Sequence, residues 1–181
     1  MRKLEVQELG RMNGSEFKNS RKLPVIVVLD NVRSLYNVGS VFRTSDAFRV
    51  EKIILCGITA TPDNSLVEIH KTALGAEESV DWIYSKDCIS VVKELNEKGY
   101  VTVAVEQVED SIKLDNLVVD NTMRYALVFG NEVKGVNQEV VDMCKYALEI
   151  PQYGTKHSLN VSVSAGLVIW EFARQLKSLI E

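Results

Sequence analysis

Short runs of β-branched and aliphatic residues alternate along this chain with stretches of helical period, and that alternation limits the fold more than any other feature. Pro24 opens the run Val25-Ile26-Val27-Val28-Leu29, which ends at Asp30-Asn31 and reads as a strand buried on both faces. Further strands are expected at Lys52–Cys56, Ser79–Tyr84, Val101–Glu106, Tyr125–Phe129 and Ala147–Ile150. Helices are expected at Asn37–Phe48, Leu66–Lys71, Asp87–Lys98, Asn137–Cys144 and Asn160–Ile180. Asp87 suits an N-cap and Gly99 a C-terminal stop. Gly57–Asn64, which contains Pro62, reads as a long loop. The pattern predicts an α/β domain with a mostly parallel sheet flanked by helices. Such sheets bind ligands beyond the carboxyl ends of their strands, so chemistry is expected after Leu29, Cys56, Glu106, Phe129 and Ile150.

The 181 residues suit one domain over residues 23–181, preceded by a short extension over residues 1–22. In the extension Leu4, Leu9, Met12 and Phe17 are spaced among Arg2, Lys3, Arg11, Lys18, Arg21 and Lys22, which reads as a basic amphipathic helix and linker. The formal charge of -4 counts against a strongly electrostatic nucleic-acid binder. The distribution is uneven, however: residues 1–52 hold ten Lys/Arg against six Asp/Glu, leaving a basic end able to meet phosphates. Cys56, Cys88 and Cys144 form no CxxC pair and suit a reducing compartment, hence a cytoplasmic protein. His70 and His157 have no partner at metal-ligand spacing, so no metal is expected. No apolar run is long enough to span a bilayer, and the N-terminus has no signal-peptide core, so no membrane is expected.

The glycines exclude several functions. No G-x-G occurs, which removes the usual dinucleotide fingerprint. Gly130-Asn131-Glu132-Val133-Lys134-Gly135 has the glycine spacing of a P-loop but is followed by Val136-Asn137, without the Lys and hydroxyl that hold phosphate and magnesium. No G-x-S-x-G nucleophile elbow is present.

Three stretches carry the chemistry. The first runs from Leu29 to Asp46, a strand end, a polar loop and a helix start, with Gly39, Arg43 and Asp46 on one stripe, open space beside Arg43 at Gly39, and Asn37 as a cap. Alone it reads as a surface Arg–Asp pair with an ordinary cap. The second, Phe129 to Gly135, sets the carboxylate of Glu132 in a glycine-flanked turn directly after a buried strand. The third, Ile150 to Ala165, leaves a strand at Pro151, crosses a polar loop with His157, and enters a helix that Ser158 could cap and whose small residues permit close backbone approach.

Together these stretches resemble the three motifs of the SpoU/TrmH family of RNA ribose 2′-O-methyltransferases, within the SPOUT superfamily. The matches are Asn37-x-Gly39-x-x-x-Arg43, then Phe129-Gly130-Asn131-Glu132-x-x-Gly135, then Ile150-Pro151 with Ser158-Leu159-Asn160-Val161-Ser162-Val163, in order, over about residues 24–175. The resemblance implies a deep C-terminal trefoil knot and S-adenosylmethionine as cofactor, held in a bent shape by backbone groups at Gly130, Ile150 and Leu159. The apolar side chains of the last two suit an adenine slot, and Glu106 is expected to line the same pocket. It implies a homodimer in which the partner completes each site. Arg43 matches the family's essential arginine. Arginine is a poor base because its pKa exceeds about 12, and a phosphate clamp is the easier role. Asn37, Glu132, Ser158 and Asn160 match the polar residues shaping the site. RNA is the implied partner, tRNA favoured over rRNA. Two other functions stay open: a non-catalytic RNA-binding or assembly protein on the same fold, and a flavodoxin-like nucleotide-binding regulator.

Overall fold

The computed structural model describes residues 1–181, the Val6 side chain excepted. Seven strands form one sheet: β1 (Leu23–Asp30), β2 (Val50–Cys56), β3 (Trp82–Ser85), β4 (Tyr100–Val105), β5 (Ile112–Lys113), β6 (Arg124–Phe129) and β7 (Tyr146–Glu149). Their order is β3-β2-β1-β6-β4-β7-β5 and every pairing is parallel. β1 lies inside the sheet, with Val27 opposite both Ile53 and Leu127. Its side chains divide between two cores: Val25, Val27 and Leu29 face one, Ile26 and Val28 the other. A parallel sheet covered by helices on both faces needs the continuous apolar runs that the sequence carries.

The helices are α1 (Gly14–Asn19), α2 (Leu35–Ala47), α3 (Pro62–Ala73), α4 (Ala76–Ser79), α5 (Cys88–Glu97), α6 (Gln138–Met143) and α7 (Val161–Leu176). Core residues of α2, α3, α4 and α7 cluster on one face of the sheet, and those of α5 and α6 on the other. Asp87 caps α5 by accepting from the Ile89 and Ser90 amides. In the N-terminal extension a 3-10 turn (Val6–Leu9) precedes α1, and Phe17 alone of its expected apolar set is buried; Leu4, Leu9 and Met12 are exposed.

Several local expectations are corrected. Pro62 does not sit in a loop: it occupies the first position of α3, where its missing N–H costs nothing. The strand placed at Ser79–Tyr84 is Trp82–Ser85, because Ala76–Ser79 closes a helical turn first. Ser34 rather than Asn37 caps α2, accepting from the Asn37 amide at 3.3 Å, because the helix begins at Leu35 and the Asn37 side chain is taken by other partners. Asn160 rather than Ser158 caps α7, accepting from the Ser162 amide at 2.9 Å. Gly39 does not open space beside Arg43: a Cβ there would lie 2.1 Å from Thr72 Oγ1 and 2.3 Å from the Ile69 carbonyl oxygen, so α3 fills the gap.

Candidate active site

The three singled-out stretches meet at the carboxyl edge of the sheet. After β1 the chain turns through Asn31–Ser34 into α2; after β6 it forms the Gly130–Gly135 turn; after β7 it runs through residues 150–160 to α7. The Glu132 carboxylate accepts from the Ser34 amide at 2.9 Å, the Arg33 amide at 3.0 Å and Asn37 Nδ2 at 3.1 Å. Asn37 Oδ1 in turn accepts from Asn160 Nδ2 at 3.1 Å. One hydrogen-bond chain thus joins all three stretches, across sequence separations of 95 and 123 residues. Partial burial pushes the Glu132 carboxyl up, but the amides of Arg33 and Ser34, its own amide and Asn37 pull harder, and the net displacement is below the ordinary glutamate value.

The 130s turn has little freedom. Asn131 and Gly135 exchange amide–carbonyl bonds in both directions, at 3.0 and 2.9 Å. A Cβ on Gly130 would lie 2.1 Å from the Gly135 carbonyl carbon, so only glycine closes this turn. Asn131 Nδ2 donates to the Asn31 carbonyl at 2.8 Å, a second tie to the loop after β1. Glu106, at the end of β4, accepts from the Val136 and Gln107 amides at 3.0 and 2.8 Å and braces the far side of the turn.

These loops enclose a cleft of about 640 Å³. Of the expected residues, Glu106, Gly130, Glu132, Ile150, Ser158, Leu159 and Asn160 line it. None of the loop, turn and cap hydrogen bonds among the described residues engages the backbone of Gly130, Ile150 or Leu159, which leaves those groups free for a ligand. Ile150 and Leu159 add apolar surface beside them.

Asn37 stands behind the cleft wall, bonded to two residues that line it. Arg43 is not brought into the cleft of its own chain. It lies six residues beyond Asn37 on α2, about 9 Å along the axis, and is exposed. The expected pair with Asp46 does not form among the described residues; Asp46 instead accepts from Ser79 Oγ. Helices α2 and α7 run side by side, joined at their starts by Asn37–Asn160 and further along by Phe48 against Trp170, ring centroids 5.6 Å apart. Arg43 shares the stripe of α2 that carries Gly39 and Asp46, which meet α3 and α4, so its exposed side chain projects from the side of α2 away from α7.

Sequence reasoning missed two parts of the site. Gln107 Nε2 donates to the His157 carbonyl at 2.7 Å and holds the third loop against the end of β4. The amides of Arg33 and Ser34 hold Glu132. Backbone donors carry no residue signature, and the only hint at Gln107 was its place next to Glu106.

Comparison with known proteins agrees with this geometry. Residues 24–170 match the SpoU rRNA Methylase family. The chain is 31% identical over 163 residues to the 23S rRNA (guanosine-2′-O-)-methyltransferase RlmB of Neisseria meningitidis, covering 87% of this chain and 61% of that protein. It spans about three fifths of the length of the curated relatives it matches. Among solved structures, the A. aeolicus TrmH/SpoU tRNA modifying enzyme superposes with a TM-score of 0.79 at 28% identity, over 91% of this chain and 81% of that one. An AdoMet-bound rRNA methyltransferase from Sinorhizobium meliloti gives a TM-score of 0.76 at 27% identity, over 88% and 58%. A seven-stranded parallel sheet whose three loops are knitted at one edge, together with a match over most of its length, establishes that this chain belongs to the SpoU rRNA methylase family.

Proposed function

We propose that the protein transfers a methyl group from S-adenosylmethionine to a ribose 2′-hydroxyl of RNA. The observation that carries this is the Glu132–Asn37–Asn160 chain, which fixes three loops around one cleft. The names of the relatives support the same chemistry. The cleft also suits the cofactor: free backbone groups at Gly130, Ile150 and Leu159 can pair with the edge of an adenine, and the Ile150 and Leu159 side chains cover its faces.

When bound, S-adenosylmethionine supplies an electrophilic sulfonium methyl, so the protein's task is to orient a weak nucleophile. Asn37, Glu132 and Asn160 hold the loop walls in register. Ser158, exposed on the cleft rim, offers a hydroxyl to the ribose. Arg43 clamps the phosphate next to the target ribose, a role its fork of donors suits. For that clamp to reach a cleft, a second subunit is required. Exposed Val163, Leu167 and Trp170 give α7 an apolar stripe fit for a homodimer. The deep trefoil knot belongs to the same reading. α6 and α7 pack on opposite faces while β7 lies between β4 and β5, which supports passage of the chain through the ring closed by β4, residues 106–123 and β6.

The substrate favoured here is tRNA, in line with the A. aeolicus tRNA modifying enzyme, while RlmB and the Sinorhizobium meliloti protein are named rRNA methyltransferases. No helix among the described residues is long and apolar enough to cross a membrane, and an RNA substrate puts the work in the cytoplasm. The test is transfer of a labelled methyl from S-adenosylmethionine to RNA from cells lacking the gene. Label recovered in alkali-resistant dinucleotides is expected. RNA binding without transfer would favour the assembly-protein alternative and overturn this reading.

A further inference from the structure

A second concavity, about 410 Å³, opens beyond the ends of β2 and β3, away from the cleft. Its walls are Ile58, Trp82 and Tyr84, and its polar groups come from Thr61, Asp63 and Asn64 at the start of α3. Tyr84 is 50% exposed, and its hydroxyl is fixed by donation to the Gly57 carbonyl at 2.9 Å. Ile58 is 64% exposed. Thr61 is only 6% exposed, yet among the described residues its hydroxyl neither caps α3 nor finds another partner. A hydroxyl without a protein partner, on a residue otherwise buried at the wall of an aromatic cavity, suits a ligand with both a flat apolar face and a polar edge.

The charge narrows the ligand. No Lys or Arg lines this cavity and one carboxylate, Asp63, does, which disfavours a phosphate and favours a donor-bearing edge. The position narrows it further. Ile58 donates its amide to Asn31 Oδ1 at 3.1 Å, and Thr59 Oγ1 accepts from the Val32 amide at 3.0 Å. The Asn31–Ser34 loop that bonds Glu132 on one side is therefore bonded to this cavity's wall on the other. β2 and β6 are two strand spacings apart in the sheet, about 10 Å. A single-stranded RNA leaving the cleft reaches the second cavity within a few nucleotides.

We infer that the cavity formed by Ile58, Thr61, Asp63, Trp82 and Tyr84 holds an unpaired nucleobase of the substrate RNA near the methylated nucleotide. The inference rests on the methyltransferase reading for the identity of its ligand. Aromatic faces stack any base, while the Thr61 hydroxyl and the Asp63 carboxylate favour a base presenting N–H donors at its edge.

The test measures affinity for short single-stranded oligoribonucleotides and, separately, for S-adenosylmethionine by calorimetry. Tyr84→Ala and Thr61→Val should each weaken oligoribonucleotide binding, Tyr84→Ala by about tenfold or more, the scale of one lost stacking contact. Tyr84→Phe should retain most of the affinity, cofactor affinity should not change in any variant, and inorganic phosphate should not compete. Unchanged oligoribonucleotide affinity in Tyr84→Ala, or no binding by the wild-type protein, overturns the inference. If wild-type protein methylates RNA while these variants behave like it, the base site fails and the activity stands. If oligoribonucleotides bind through Tyr84 without any methyl transfer, the base site stands and the activity fails.

Discussion

Glu132 and Arg43 carry opposite charges and stand in opposite situations. Glu132 accepts three protein hydrogen bonds, two of them from backbone, and its carboxyl titrates below the ordinary glutamate value. A depressed carboxyl contributes stability that is fully present above the unfolded-state value, about 4.3, and is lost as pH falls through the folded-state value. The Glu132→Gln variant should therefore lose less stability than the wild type as pH falls below about 4.3, because the group that must be protonated is gone. Urea midpoints measured from pH 7 to pH 3 give the comparison; identical slopes for both proteins would remove the electrostatic role of Glu132. Arg43 is exposed and among the described residues makes no hydrogen bond or ion pair that folding would miss. Arg43→Ala should change stability by no more than about 0.5 kcal/mol, the usual range for a surface substitution. It should leave S-adenosylmethionine affinity intact and abolish methyl transfer. Normal turnover in that variant would show that the guanidinium has no part in the reaction.

Elements were legible in the sequence to the extent that their signals were local. β1, β6 and α5 follow from an apolar run or an amphipathic stretch with a cap, and they lie within a residue or two of their expected bounds. β5, two residues long, was hidden in a polar loop because so short a pairing has no pattern of its own. The caps at Ser34 and Asn160 were misplaced because Asn37 and Ser158 are equally good cap residues, and only tertiary partners decide between them. The site residues were legible as three motifs, but their convergence depends on strand order, which sequence alone does not encode locally. Gly39 shows the limit most clearly. Its motif position suggested room for a neighbour on its own helix, whereas the space belongs to α3, with Thr72 Oγ1 donating to the Tyr36 carbonyl at 2.9 Å beside it. Alanine at an ordinary helical site gains about 1 kcal/mol over glycine. At Gly39 the added carbon meets a backbone carbonyl that cannot swing away, so Gly39→Ala should be destabilising by about 1–3 kcal/mol despite its better helix propensity. A urea midpoint equal to or above that of the wild type would mean that α2 and α3 separate at no cost.

At the scale of the whole molecule, one protomer leaves two features without a use: the apolar stripe on α7 and the exposed guanidinium of Arg43. A dimer through α7 covers Val163, Leu167 and Trp170, and on the proposed mechanism Arg43 serves the partner's cleft. Leu167→Glu places a charge on that stripe at an already exposed position, so the fold should survive while association fails. Analytical ultracentrifugation should then report a monomer where the wild type reports a dimer, with an unchanged far-ultraviolet spectrum. A wild type that sediments as a monomer at assay concentration would end the dimer proposal. The active-site consequence is separable. Ile150→Glu fills the apolar side of the cleft with a charge and should silence that chain's own cofactor site, while Arg43→Ala removes the clamp and leaves the cleft whole. Each variant alone should be inactive. Co-expressed with different tags and purified as mixed dimers, the two should regain methyl transfer if each cleft borrows the arginine of its partner, because one composite site then pairs an intact cleft with an intact Arg43. If Arg43 acts on its own chain's cleft, the mixed dimer holds no complete site and stays inactive, and the position of Arg43 outside that cleft would then have to change when RNA binds.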